Sequence, residues 1–555
     1  MQKHAARLRT FAGAAAVAIL ASCGGGSGND GGIESPAANA SADAAYVSES
    51  DRMLAQKAQQ GQLAKWSPVI QLPLVPASGA QLADGKLLFW AANSGFNWNG
   101  YGNTITALYD PATNVATSRN VTETGHDMFC PGTTRLSDGR LMVVGGYDNN
   151  RTSIYDPVNG IWSRAAATNF ARGYTGTTPL ADGSVLTVGG SWQTGTNGGH
   201  DAEVFTTEGT WRRLTGVPSQ KFMLDGANFY GYPSDSHMNV FATGNGKVLL
   251  TGPVVDMYWI DTKGNGSFAS AGRRGDDTAS FANTTLMYEA GKIFKAGGAT
   301  WNNNAPSNNN AYSIDTTRGV AEVRKLAPMA YPRVYANGVV LPDGQIVVIG
   351  GQTTSQEFSD NFAVMPPELY DPATDTFTLL PPISVARNYH SIAMLMADGR
   401  VVSAGGGLCQ CAADHPDMQI LSPPYLFNAD GTAATRPVIT GAPATASYGA
   451  NVNVETNSAV TAFSLVRLGA VTHTVNNDQR RVSVKFEAVG TARTIAWRFR
   501  TIRASSCRAS GCCSHSMPTA RRPWRRSSRS AAPTCHGWTT RAASPCRPTR
   551  TFPFN

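Results

Sequence analysis

Between residues 66 and 425 one pattern of polar and apolar positions recurs. A short polar turn ending in glycine precedes a run of alternating or continuous apolar residues, and most of these runs close on a pair of glycines. The pattern reads ADGKLLFW at Asp84-Gly85, SDGRLMVVGG at Asp138-Gly139, ADGSVLTVGG at Asp182-Gly183, PDGQIVVIGG at Asp343-Gly344 and ADGRVVSAGG at Asp398-Gly399. Looser copies are GNGKVLLTG around Gly246 and AGKIFKAGG around Gly291. Each Asp-Gly pair predicts a type I′ hairpin turn, in which both central residues need positive φ. The apolar run predicts a strand, and the glycine pair predicts backbones packed where side chains would collide. ITALYDPATN, TSIYDPVNGIW and PELYDPATDTF predict partner strands.

Seven markers spaced 44 to 63 residues apart fall in the range of kelch-type blades. The expected fold is therefore all-β: a seven-bladed kelch-type β-propeller over residues 66–430. From about Arg436 the glycine pairs stop and short alternating strands continue, which predicts a small immunoglobulin-like β-sandwich over 431–490. Composition agrees: 57 Gly and 31 Pro supply turns, and 15% charged residues leave little for long solvated helices.

The two ends differ from this body. Lys3, Arg7 and Arg9 precede the apolar run Phe11–Ala21, too short to span a bilayer, so residues 1–22 read as a signal peptide. Leu20-Ala21-Ser22-Cys23 resembles the bacterial lipoprotein processing box. Cys23 would then carry the lipid, residues 23–65 would be a flexible tether, and the protein would be an exported outer-membrane or cell-surface lipoprotein. Residues 491–555 hold 13 Arg, no Lys, no acid and five of the nine cysteines. Such a segment is expected from a frameshift in a GC-rich gene, which leaves the sandwich truncated. The first 490 residues carry 33 basic and 38 acidic groups, so the overall charge of +8 belongs to the tail and gives no reason to expect nucleic acid as a partner.

The candidate chemistry sits in the segments before the predicted strands. HDMFCPG places Cys130 and His126 there in one blade, ARGYTGT places Tyr174 in the next, and RNYHS places Tyr389 and His390 in the last. Propeller loops converge on the axis, so these side chains could meet. Tyr389 and His390, being adjacent, could share a ligand only where the strand's pleat is broken. Each alone reads equally as a packed tyrosine or a hydrogen-bonded histidine.

Together HDMFCPG, ARGYTGT, GGSW, ARNYHS and THTVNNDQRR resemble the galactose oxidase family of copper-radical oxidases, over about residues 66–490. The resemblance implies one copper ion held by Tyr174, Tyr389, His390 and His473. It also implies a thioether bond from Cys130 to the Tyr174 ring that forms a radical cofactor, with Trp192 stacked over it. A primary alcohol, sugar or polyol and galactose-like, would be oxidised to an aldehyde while O2 becomes H2O2. Tyr389 would accept the hydroxyl proton, and the Tyr174 radical would take a hydrogen atom from carbon. Arg333, Gln352 and Phe96 match positions that contact the sugar, and Met365 stands where the family has another aromatic. Cys409 and Cys411 resemble a family disulfide with one residue fewer between. A monomer is expected. The family's sandwich ends in strands that support the His473 hairpin, so a truncated sandwich would leave that ligand loose. Two alternatives stand beside this: glyoxal-oxidase-like oxidation of small aldehydes, and a non-catalytic propeller that binds carbohydrate or another surface.

Overall fold

The structure, a computed structural model, describes residues 49–489 apart from 101, 148, 191–199, 223–236, 245 and 448–449, together with the backbone of 495–499, 511–516 and 551–553. The signal peptide, Cys23, most of the expected tether and Trp192 lie outside the described residues.

The Asp-Gly turns are hairpins of a different type from the expected one. Leu82 N–H donates to Lys86 O at 2.8 Å and Gly85 N–H to Leu82 O at 3.1 Å, which makes a three-residue loop. In the five Asp-Gly copies only the glycine has positive φ, between 87° and 98°. This is a type I turn followed by a left-handed glycine, not type I′. The aspartate is there for its side chain. Asp84, Asp138, Asp182, Asp343 and Asp398 each accept the backbone N–H two residues on, at 2.9–3.1 Å.

Each turn joins the innermost strand of an antiparallel sheet to the second, and seven such sheets form the propeller blades. They span residues 78–121, 132–164, 176–218, 239–273, 284–325, 337–379 and 391–422. The seventh blade takes its outer edge from the other end of the chain: Lys65–Trp66 and Ile70–Gln71 pair with Asp417–Ser422, which closes the ring. The helix Glu49–Gly61 precedes this closure, and Lys57 reaches Asp371 of the sixth blade at 2.8 Å. Residues 49–65 are thus built structure rather than tether.

The glycine pairs stitch neighbouring blades. Gly146, Gly298 and Gly351 donate N–H to the carbonyls of Arg172, Arg333 and Arg387 at 2.6–2.8 Å. A Cβ on Gly350 would strike the Arg387 carbonyl oxygen. The three arginines then tie their own blades. Their guanidinium groups are buried against Glu203, Glu368 and Asp417 at 2.8, 2.9 and 2.5 Å.

The sandwich contains the sheet Ile439–Gly441, Val452–Thr456, Ile495–Phe499, Phe486–Val489 and the sheet Arg481–Val484, Ala462–Arg467, Gly511–Ser516. Val452, Val454, Phe463 and Leu465 form its core. Two of these strands lie beyond residue 490, so the sandwich extends past the boundary read from the sequence.

Candidate metal centre

The residue two positions before the innermost strand is Cys130, Tyr174, His237, Ala282, Tyr335 or Tyr389 in the second to seventh blades. Cys130, Tyr174, Ala282 and Tyr335 are in the left-handed region, at φ 57°, 60°, 43° and 63°. Non-glycine residues hold that conformation at a cost of about 1–3 kcal/mol each, and such positions cluster at functional sites. In the seventh blade the left-handed residue is His390, at φ 67°. It breaks the pleat, so Tyr389 and His390 lie side by side with ring centroids 3.9 Å apart and planes 30° apart.

His473 arrives from the sandwich. Ala470–Thr472 pairs antiparallel with Ser78–Ala80, adding a strand to the axial edge of the first blade. The chain then turns tightly, with His473 and Thr474 both left-handed (φ 45° and 71°) and Val475 N–H donating to Thr472 O at 2.7 Å. The polar residues that follow are spent on the propeller's inner strands. Asn476 donates to Gly338 O at 3.1 Å, Asn477 to Met238 O at 2.9 Å, and Arg480 to Thr178 Oγ1 at 3.3 Å. Asp478 accepts from Thr134 at 2.7 Å and pairs with Arg467 at 3.1 Å. Among the contacts of His473's own turn are Ser78 Oγ to Thr472 Oγ1 at 2.7 Å and His473 N–H to Ala77 O at 3.2 Å. The hairpin is anchored by residues before 490, which removes the reason to expect a loose His473.

These elements bring five sequence-predicted side chains together. The Tyr174 and Tyr389 hydroxyls hydrogen-bond each other. Cys130 Sγ lies 3.1 Å from His473 Nε2, and donor atoms of Cys130, His390 and His473 all fall within 4.8 Å of one another. The His390 and His473 ring centroids are 4.5 Å apart. Cys130 and Tyr174 interact through their side chains and through a backbone hydrogen bond of 2.8 Å.

The donor set fits a copper ion. His390 Nδ1–H is committed to the Gly407 carbonyl, so Nε2 carries the lone pair, and Nε2 is buried with no hydrogen-bond partner. That is how a metal-binding imidazole is oriented. Two imidazoles and two phenol oxygens suit tetragonal Cu(II). Burial pushes His390 down to about 3 and His473 well below its ordinary value, so both rings stay neutral. Burial also raises both phenols well above theirs, helped by Cys130 and Tyr389 at Tyr174 and by Glu357 at Tyr389.

Two of the three expected substrate contacts, Arg333 and Gln352, spend their polar groups on the scaffold. Arg333 is buried in the blade's ion pair, with donors on Glu368, Gly350 O and Pro366 O, like Arg172 and Arg387 in their blades. Gln352 is fully buried and holds its own loop, donating to Ser359 O and Asn361 O at 2.8 and 2.9 Å and accepting from Gln356 N at 3.0 Å. Phe96 is 45% exposed, on a loop bridged to the Cys409–Cys411 disulfide, which is formed. The aromatic beside the site comes from Phe358 rather than position 365, with its ring 5.5 Å from Tyr389 and 5.6 Å from His390.

Three further side chains stand beside the site. His237, edge-on to Tyr174 at 4.8 Å, lines a small cavity with Tyr174, Tyr389, Tyr335 and His473. Tyr335 packs 5.1 Å from Tyr389, and Glu357 acts on all three phenols through space. Counting two residues back from each innermost strand would have found the first two.

A closed seven-bladed propeller whose axis is plugged by a ligand-bearing hairpin from an early-set sandwich defines a class of oxidase scaffold. A glyoxal oxidase N-terminus family model matches residues 289–411, and a galactose oxidase-like early set domain model matches 436–512. The chain is 36% identical to a solved fungal alcohol oxidase in complex with copper, covering 84% of this chain and 99% of that one, with a TM-score of 0.79. It is 37% identical over 441 residues to galactose oxidase of Gibberella zeae, covering 77% of this chain and 64% of that protein. An aldehyde oxidase of Vitis pseudoreticulata is 27% identical over 396 residues, covering 64% of this chain and 72% of that one. The chain belongs to the galactose oxidase family of copper-radical oxidases. It spans 64% of the length of the galactose oxidases it matches.

Proposed function

We propose that the protein is a copper-radical oxidase that converts a primary alcohol, sugar or polyol, to an aldehyde while O2 is reduced to H2O2. The observation that carries this is the meeting of Cys130, Tyr174, Tyr389, His390 and His473 at the propeller axis, with His390 Nε2 buried and unpartnered. Tyr174, Tyr389, His390 and His473 would hold the copper ion. Bound copper would supply Lewis acidity and accept one of the two electrons removed from the alcohol, the side-chain radical accepting the other.

The chain's own residues do the rest. The Tyr389 oxygen, which would be deprotonated when it ligates copper, is then able to accept the hydroxyl proton of the alcohol. The Tyr174 oxygen, as a radical eased by a thioether from Cys130 Sγ, takes the hydrogen atom from the carbinol carbon. Phe358, Tyr335 and Phe129 wall the site with rings and keep bulk water away; Phe129 lies 5.1 Å from His390. Trp192 is proposed as the stacking indole, and Cys23 as a lipidated residue that anchors the exported protein to a membrane surface. Peroxide release from copper-loaded protein given galactose, glycerol and methylglyoxal tests the reading. Turnover of the alcohols supports it, and no peroxide with any of them overturns it. The match of residues 289–411 to a glyoxal oxidase model favours one second reading, oxidation of small aldehydes, which turnover of methylglyoxal alone would support.

A further inference from the structure

We propose that Glu357 and Asn302 form a recognition pair that selects alcohols carrying further hydroxyl groups over monohydric ones. The inference rests on the oxidase reading and names the residues that choose its substrate.

Both residues sit on a ribbon outside the blades. Asn303–Pro306 and Thr354–Gln356, from the fifth and sixth blades, pair antiparallel. Asn302 stands just before the first strand and Glu357 just after the second, so the ribbon holds them opposite each other. Asn302 Nδ2 donates to Glu357 Oε1 at 3.0 Å. The pair is fixed to the metal centre from two sides. Tyr335 donates its hydroxyl to Asn302 O at 2.6 Å while its ring packs 5.1 Å from Tyr389. Phe358, next in sequence to Glu357, packs against both Tyr389 and His390.

What remains unused on this pair is acceptor capacity. Asn302 Oδ1 is buried without a hydrogen-bond partner, and Glu357 Oε2 has none among the described residues. The acids of the blade and hairpin ties differ: Glu203, Glu368, Asp417 and Asp478 are each held by an arginine, whereas Glu357 meets no cation among the described residues. Its burial pushes the carboxyl up to about 7, a second sign of an uncompensated acid beside the phenols. Two adjacent acceptors require donors. A polyol or sugar offers neighbouring hydroxyls to fill both, a monohydric alcohol offers no hydroxyl beyond the reacting one, and a carboxylate-bearing substrate is repelled. A site that leaves such groups unpaired discriminates strongly against the analogue lacking the hydroxyl.

The test compares full-length, copper-loaded wild type with Glu357→Ala and Glu357→Gln on glycerol and propan-1-ol. Glu357→Ala is expected to lower kcat/KM for glycerol by about tenfold or more and for propan-1-ol by less than about threefold. Glu357→Gln, whose amide oxygen still accepts, is expected to recover most of the glycerol activity. Equal losses on both alcohols, or loss of the Cys130–Tyr174 cross-link in the variant, would mean a structural role and overturn the inference. Glycerol and galactose binding to the copper-free proteins, followed by tryptophan fluorescence, is read separately. Weaker binding by Glu357→Ala supports the pair even if the wild type turns over neither alcohol, a result that would sink the oxidase reading instead. Equal binding by wild type and variant overturns the pair.

Discussion

The backbone N–H of Tyr174 donates to the carbonyl of Cys130 at 2.8 Å, and both residues sit in the left-handed region. One hydrogen bond between neighbouring blades thus sets a thiol and a phenol side by side before any covalent chemistry occurs. The structural work is done by the backbone, so the sulfur can be removed without unfolding the site. Cys130→Ala should unfold within a few degrees of wild type and retain copper binding. It should lack turnover and any radical absorption band, as checked by calorimetry, metal analysis and optical spectra.

His473 is positioned by its neighbours rather than by its ring. Asn476, Asn477 and Asp478 pin the hairpin to three blades. His473→Ala should therefore keep the fold while weakening copper affinity by ~100-fold or more, since even outer-shell partners are worth 10–100-fold. Competition titration against a chelator measures this.

Arg333→Ala tests the reassignment of that residue from substrate to scaffold. Breaking its buried pair with Glu368 should cost about 3–5 kcal/mol in urea unfolding. The ratio of activity on galactose to that on glycerol should not change. A shifted ratio at unchanged stability would return Arg333 to the substrate site.

Acid should destabilise the protein through His126. Its ring is fully buried, with nitrogens 2.8 Å from Ser153 Oγ and 2.7 Å from Gly145 O, and desolvation pushes it down to about 4. The unfolded chain takes up this proton below about pH 6.5 and the folded chain does not until about pH 4. Stability is therefore lost as pH falls through that interval. His126→Gln should be less stable at pH 7 but show a shallower fall in urea midpoint from pH 6.5 to 4.

Local patterns were legible and long-range ones were not. The Asp-Gly turns and apolar runs are explained by residues within ten positions, and with the recurring glycine pairs as markers they suffice for seven blades, although the partners of those glycines lie in the next blade. The broken pleat at Tyr389-His390 also followed from two adjacent residues. Arg333 was misread because its role appears only when PRVY is aligned with ARGY and ARNY, where the arginine recurs as the blade tie. The same alignment sets Tyr335 level with Tyr174 and Tyr389, whereas His237 carries no motif and is marked only by its distance from a strand. Glu357 reaches the phenols through a ribbon between two blades, a relationship no sequence window contains.

On the proposed reading Cys130 and Tyr174 join into one cofactor beside copper. Peptide mass spectrometry on protein loaded aerobically with copper tests it most directly. A single cross-linked species containing both residues, lighter by two hydrogens than its parts, is expected. Two separate, unmodified peptides from folded, copper-loaded protein would contradict it.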